Sequence, residues 1–148
     1  MQGTVPMNAF SLRKMTLRDY RTVMALWRDT PGIGLDDDSD SQVAIARYLR
    51  RNPGLSFVAC GDGRIVGAVL SGHDGRRGYL HHLAVAPAYR GRGVARALVS
   101  RCLQTLARRK ISRCNIFVHG NNRCGLKFWK RQGWALRTAT PWLQIHTR

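Results

Sequence analysis

The order of elements along this chain predicts an α/β fold of the α+β kind: one mixed, mostly antiparallel sheet flanked by helices. Two features of the 148-residue sequence carry that expectation. After two helix-period stretches, three strand-like runs follow one another with only short Gly-rich turns between them, which is the pattern of an antiparallel meander. Beyond the meander, amphipathic helical stretches alternate with a short strand. Each face of such a sheet is apolar and needs helices to cover it. The length is that of one domain, with residues 1–8 read as a flexible N-terminus and 9–148 as a single domain.

The elements follow in order. Residues 9–14 read as a short strand. Thr16 and Asp19 then offer an N-cap and a short version of the capping-box acid, ahead of a helix with Tyr20, Val23, Met24 and Trp27 on one face. Residues 30–40 hold Pro31, Gly32, Gly34 and four aspartates, so they read as a loop. Residues 41–51 form a second helix, with Val43, Ile45, Ala46 and Leu49 apolar, and Asn52-Pro53-Gly54 stops it. Strands are expected over 56–60, 64–71 and 79–85, with turns at Gly61-Asp62-Gly63 and at 72–78. A helix over 93–110 turns Ala95, Leu98, Val99, Cys102, Leu103 and Leu106 to the sheet. A strand over 113–118, a helix over 122–132 and a final strand over 134–147, interrupted near Pro141, complete the reading.

Composition narrows the functional classes. Lys and Arg number 25 against eight acids, a net charge of +17. Sixteen of the 25 lie from Arg76 onward, and no acid follows Asp74. All the acids are aspartates, and Asp36, Asp37, Asp38 and Asp40 crowd one loop. A basic half attracts polyanions such as nucleic acid or a phosphate-rich cofactor. The 21 Arg to 4 Lys also fit a compositional bias of a solvated surface. Cys60, Cys102, Cys114 and Cys124 match no zinc or redox spacing and read as free thiols in a reducing compartment. No apolar run has membrane-span length, and Met1 to Met7 is too short and polar for a signal peptide. A cytoplasmic protein with no membrane association and no metal is the expectation.

The most specific stretch is Leu83-Ala84-Val85-Ala86-Pro87-Ala88-Tyr89-Arg90-Gly91-Arg92-Gly93-Val94-Ala95. A strand ends at a proline, and a basic turn with two glycines runs into a helix. Such a layout suits phosphate: glycines permit close backbone approach, and the unpaired N–H groups of a helix start face the anion. The pattern Arg90-x-x-Gly93-x-Ala95, preceded by Leu83-x-Val85-x-Pro87, resembles the acetyl-CoA signature of the GNAT (general control-related) N-acetyltransferase superfamily. A second similarity lies downstream, in Asn122-x-x-Gly125-x-x-Phe128-Trp129-x-x-x-Gly133-Trp134. The resemblance covers residues 9–148, and its specific part runs from Gly78 to Trp134.

The resemblance implies an acetyl-CoA-dependent transfer to a primary amine, with acetyl-CoA as cosubstrate. It implies a sheet splayed centrally after the strand ending at Val85, with the pantetheine arm lying there as an added strand. The backbone of Leu83, Ala84 and Val85 would pair with that arm, and the Val85 N–H would polarise the thioester carbonyl. The pyrophosphate would rest on the N–H groups of Arg90, Gly91, Arg92, Gly93, Val94 and Ala95, with the two arginine side chains adding charge. Asn122 is explained fully as an N-cap, and the resemblance adds a contact with the cofactor arm. Gly125, a residue that costs about 1 kcal/mol inside a helix, suits close cofactor approach. The resemblance also makes Phe128 a cofactor contact, and Trp129 would pack as a wall beside the acetyl group.

The chain departs from the family pattern twice. Many relatives carry an acid on the strand before Leu-x-Val, whereas this chain has His81 and His82. Strand alternation places Tyr79, His81, Leu83 and Val85 on one face and His82 and Ala84 on the other. Arylalkylamine members of the superfamily similarly have a histidine two residues before the Leu-Ala-Val step, so His81 is the expected general base. A histidine packed in the sheet is the competing explanation. The usual tyrosine acid is replaced by Trp129, whose indole N–H only donates; this leaves water, the ammonium product, or Tyr79 or Tyr89 in its place to protonate the thiolate. Cys124 reads as a small helix-surface residue.

The acceptor is not named by the sequence. The resemblance implies a small-molecule or peptide amine and leaves a sheet-edge homodimer open. The aspartate loop either recruits a cationic amine or is simply solvated. Trp27 and Trp142 are expected in the core. A basic nucleic-acid- or ribosome-associated protein is the alternative class, supported by charge alone, since no RNP-type strand, zinc spacing or heptad tail is present. A CoA-binding member without catalysis is a third reading.

Overall fold

The structure, a computed structural model, describes residues 9–147, so the expected flexible tail at 1–8 lies outside the described residues. The chain divides into two compact units, residues 1–117 and 118–148.

The first unit is built on a five-stranded sheet of order β1-β2-β3-β4-β5. Its strands are β1 (Ser11–Lys14), β2 (Phe57–Gly61), β3 (Arg64–His73), β4 (Gly78–Val85) and β5 (Cys114–Ile116). The first four pair antiparallel, and β5 joins β4 in parallel. The expected meander is therefore present, with β3 reaching two residues further than its apolar run suggests.

Helices α1 (Tyr20–Arg28), α2 (Asp37–Asp40) and α3 (Gln42–Arg51) lie between β1 and β2 in the chain. Val23, Met24 and Trp27 of α1 are buried, and with Ile45 of α3 they pack on Val58, Ala68, Leu70 and Ala84 of the sheet. Val43 stands outside this face and is exposed. The loop expected over 30–40 contains the short helix α2, whose cap is Asp36: its carboxylate accepts from the Asp38 N–H at 2.9 Å. Ser41 caps α3 in the same way.

Helix α4 (Val94–Arg108) packs against β2, β3 and β4. Val94, Leu98, Val99, Cys102 and Leu106 are buried, as its apolar stripe requires, whereas Ala95 is half-buried and Leu103 exposed. A Cβ placed on Gly67 of β3 would meet Val94 and Leu98 at 3.0 and 3.1 Å, so the glycine sets how close α4 approaches. One sheet face thus carries α1 and α3, and the other carries α4.

The second unit contains α5 (Arg123–Arg131). The final strand expected over 134–147 does not form. A strand needs a partner for its N–H and C=O groups, and no pairing is made there; Leu143 and Ile145 are 90% and 86% exposed. Trp142 is exposed as well, which corrects its expected place in the core, whereas Trp27 is fully buried.

Candidate active site

Strand β4 is not a regular ribbon. His81 pairs with Leu70 of β3, but Ala84 pairs with Ala68, so His82 and Leu83 together oppose Val69. This is a β-bulge. His82 adopts φ of +56°, a left-handed conformation that a non-glycine residue rarely takes within a strand. Leu70, Ala68 and Ala84 belong to the core on the α1 side, so His81 and Ala84 share that face. The His82 ring joins them there, 5.0 Å from the Trp27 ring. The strict alternation expected for this strand is therefore corrected: the bulge puts His81 and His82 on one face, and Val85, opposite Gly67, turns to α4.

The two histidines are held differently. His82 Nε2 lies 2.8 Å from Asp40 Oδ1. The other Asp40 oxygen accepts from the Asp36 N–H at 2.9 Å, and the Asp40 carbonyl accepts from the Tyr20 hydroxyl at 2.8 Å. His81 stands between aromatic rings, 6.3 Å from Tyr79 in a stacked arrangement and 6.2 Å from Tyr48 edge-on. Burial holds the His81 pKa below the ordinary imidazole value; the neighbouring His82 pushes the same way and Asp40 opposes. His81 is thus neutral at neutral pH. Asp40 is the site residue that sequence reading missed. The sequence reading leaves it in an aspartate loop that either recruits a cationic amine or is solvated. The signal was there in Asp36 and Ser41, two N-cap residue types five positions apart.

The edge of β4 beyond the bulge is open on one side. β5 pairs with β4 only over Gly78, Tyr79 and Leu80. From His81 to Val85 no strand occupies that side among the described residues. The Ala86 N–H donates to Val66 of β3 at 2.8 Å. Successive amides alternate in direction, so the Val85 N–H faces the open side.

The turn that follows leads into α4. Pro87, Ala88 and Tyr89 form one 3₁₀ turn, and Gly91 and Gly93 take φ of +74° and +83°. Nothing lies within 4 Å of a Cβ built on either glycine, so it is the left-handed backbone, not crowding by the protein, that calls for them. Gly93 caps α4 without a side-chain hydrogen bond, and no acid stands in the first turn. The first backbone bond of the helix is Ala97 N–H to Gly93 O. The N–H groups ahead of it face an uncapped, uncrowded helix start, which fits a pyrophosphate. The arginine side chains are both engaged: Arg90 Nε donates to Val85 O at 3.0 Å, and Arg92 lies over the Tyr89 ring at 5.1 Å. The Tyr89 hydroxyl donates to Asp62, so this tyrosine is committed to the β2–β3 turn.

The structure therefore brings His81, Leu83, Ala84, Val85 and the turn Arg90, Gly91, Arg92, Gly93, Val94 and Ala95 into one unit, and adds His82 and Asp40. Asn122, Phe128 and Trp129 belong to the second unit. There Asn122 caps α5, its Oδ1 accepting from the Gly125 N–H at 2.9 Å. A Cβ on Gly125 would meet the Asn122 side chain at 2.6 Å, so the cap itself explains this glycine. Phe128 and Trp129 meet edge-on at 5.0 Å, and Trp129 meets Trp134 at 4.8 Å. The four cysteines are free, with Cys102 buried and Cys124 exposed. Among the described residues no group of His, Cys, Asp or Glu is arranged to hold a metal ion, and no helix is long and apolar enough to cross a membrane.

An open strand edge beside a bulge, running through a glycine turn into an uncapped helix start, is the layout that the resemblance to an acyl-CoA-dependent acyltransferase implies. The sequence profile of the Acetyltransferase (GNAT) family matches residues 20–134. An acetyltransferase of Sodalis glossinidius is 35% identical over 113 residues, covering 76% of this chain and 78% of that protein. An acetyltransferase of Yersinia pestis is 40% identical over 104 residues, covering 70% and 72%. Among solved structures, the PaiA N-acetyltransferase of Thermoplasma acidophilum in complex with coenzyme A superposes with a TM-score of 0.77 at 18% identity, over 87% of this chain and 91% of that one. Ard1 of Thermoplasma volcanium gives 0.77 at 19%, over 88% and 85%; both likenesses are of fold. The chain belongs to the GNAT acetyltransferase family, and its cosubstrate is acetyl-CoA.

Proposed function

We propose that the protein transfers the acetyl group of acetyl-CoA directly to a primary amine. The observation that carries this reading is the open edge of β4, with the Val85 N–H facing it and the glycine turn leading into α4 one 3₁₀ turn further on. The pantetheine amides pair with the backbone of Leu83 and Val85 on the open side as an added strand, while the Ala84 N–H and C=O face β3. The pyrophosphate takes the N–H groups of residues 91–95, since the Arg90 N–H, expected among them, donates to Pro87 O at 3.3 Å and closes the 3₁₀ turn. The Val85 N–H donates to the thioester oxygen and strengthens that bond as negative charge develops there.

Attack needs a neutral amine, and alkyl ammonium ions must first lose a proton. The imidazoles of His81 and His82, on one face of the bulge, are the bases at hand. The amine nitrogen then forms a bond to the carbonyl carbon and the carbon–sulfur bond breaks. The thiolate takes the second proton that the nitrogen sheds as the amide forms. By resemblance to the family, Trp129 stands where the usual tyrosine acid does, and its indole N–H only donates, so it supplies no acid.

The test combines thiol release from acetyl-CoA with the mass of the acylated product across a panel of primary amines. The expected result is amine-dependent release with a matching acetylated product. Release at the same rate with and without every amine contradicts direct transfer to an amine.

A further inference from the structure

We infer that His82, held by Asp40, is the base that takes the amine proton, and that Asp40 is the residue that positions it. The inference rests on the acetyl-transfer reading above and selects between its two imidazoles.

Elements distant in the chain converge on the His82 ring. The bulge turns it to the α1 face at the cost of a left-handed backbone. Such a conformation is strained and persists only where surrounding structure enforces it. Asp62 and Lys110, the other described non-glycine residues with positive φ, lie at a hairpin turn and just after a helix end, where that conformation is ordinary. His82 alone of these sits within a strand. Trp27 from α1 packs on its ring, and Asp40 from α2 binds its Nε2.

The orientation decides the chemistry. A carboxylate can only accept, so in the neutral ring Nε2 carries the proton and Nδ1 keeps its lone pair. No protein atom among the described residues takes up Nδ1. Nor is Nδ1 sealed away: among the described residues the buried side-chain nitrogens and oxygens left without a partner are Trp27 Nε1 and Ser71 Oγ. Asp40 is itself fixed at both oxygens, by His82 and by the Asp36 N–H. An imidazole with one nitrogen on a fixed carboxylate and the other open is the arrangement of a general base. His81 has no carboxylate on either nitrogen, and burial disfavours its protonated form.

The proton balance closes. Nδ1 of His82 takes one proton from the ammonium, and Asp40 stabilises the resulting imidazolium. The neutral nitrogen bonds to the acetyl carbon, the carbon–sulfur bond breaks, and the second nitrogen proton goes to the departing thiolate. The imidazolium returns its proton to water.

The test measures kcat and acetyl-CoA affinity for His82→Asn, Asp40→Asn, the double variant and His81→Asn. The acceptor is the amine of the panel above that gives the fastest thiol release, tyramine, spermidine and Nα-acetyl-lysine methylamide among them. Asn tolerates the left-handed conformation, so His82→Asn keeps the bulge. Its kcat is expected to fall about 100-fold or more, with acetyl-CoA affinity unchanged. Asp40→Asn is expected to lower kcat about tenfold or more, because an amide at this position favours the wrong tautomer. The double variant is expected to be no worse than His82→Asn alone, as for two residues acting as one unit. His81→Asn costs less than His82→Asn. Nitrogen-15 shifts of the wild-type His82 ring should show the Nε2–H tautomer, lost in Asp40→Asn. Near-wild-type kcat in His82→Asn, or additive losses in the double variant, overturns the inference while the acetyl-transfer reading stands. A wild type that does not bind acetyl-CoA overturns both.

Discussion

At Asp19 one carboxylate closes the start of α1. Its two oxygens accept from the Arg13 guanidinium at 2.8 Å each, and Oδ2 also accepts from the Thr16 N–H at 2.9 Å. The hydrogen bonds from Arg13, opposed by burial and helped by the Thr16 N–H, hold its pKa below the ordinary carboxylate value. The sign follows from linkage. A depressed folded pKa stabilises the fold fully above the unfolded value, near 3.9, and that contribution is lost as pH falls through the folded value. Asp19→Ala should therefore destabilise by about 1–2 kcal/mol at neutral pH, and the gap from wild type should shrink below about pH 4. Denaturant melts across that range check both. The Thr16 and Asp19 pair was legible in the sequence because a capping box is local. The Arg13 contact was not, because it requires β1 to run back past the helix start. His82 was hidden for a related reason. Alternation is the default for a strand, and a histidine, unlike a glycine, gives no sign that the chain bulges there.

At the level of elements, the helices and strands with sustained periodicity formed close to their expected bounds. α4 spans Val94–Arg108 where 93–110 was expected, and α5 spans Arg123–Arg131 within 122–132. Elements whose existence depends on a partner did not follow from pattern. Residues 134–147 carry Trp142, Leu143 and Ile145 in a strand-like spacing, yet form no strand, since β-pairing is a property of two segments. Helix α2 went unseen because four residues are too few to show a period. The contact of α4 with the sheet makes a direct prediction. Gly67→Val would drive a branched side chain into Val94 and Leu98, which already lie 3.0 and 3.1 Å from a Cβ there. The expected cost is about 1–3 kcal/mol of overpacking, measured as a fall in the urea midpoint. The same variant displaces the first turn of α4, so acetyl-CoA affinity should weaken with it.

For the whole molecule, the net charge of +17 is the feature with the widest range of explanations. Contacts made through phosphates and released counterions weaken steeply with salt. Contacts made by backbone N–H groups in a fixed turn do not depend on counterions to the same degree. Family membership and fold were legible because the glycine turn and the β4 run are contiguous in sequence. The pairing of Asp40 with His82 was not, because 42 residues separate them. The account stands most directly on the turn at Gly91 and Gly93. Calorimetric titration with acetyl-CoA at moderate and high salt, on wild type and Gly93→Asp, tests it. The account predicts one-to-one binding in wild type that survives high salt, and none in Gly93→Asp, where a side chain must take a left-handed backbone and set a carboxylate against the pyrophosphate. Binding that disappears with salt, or that Gly93→Asp retains, would contradict it.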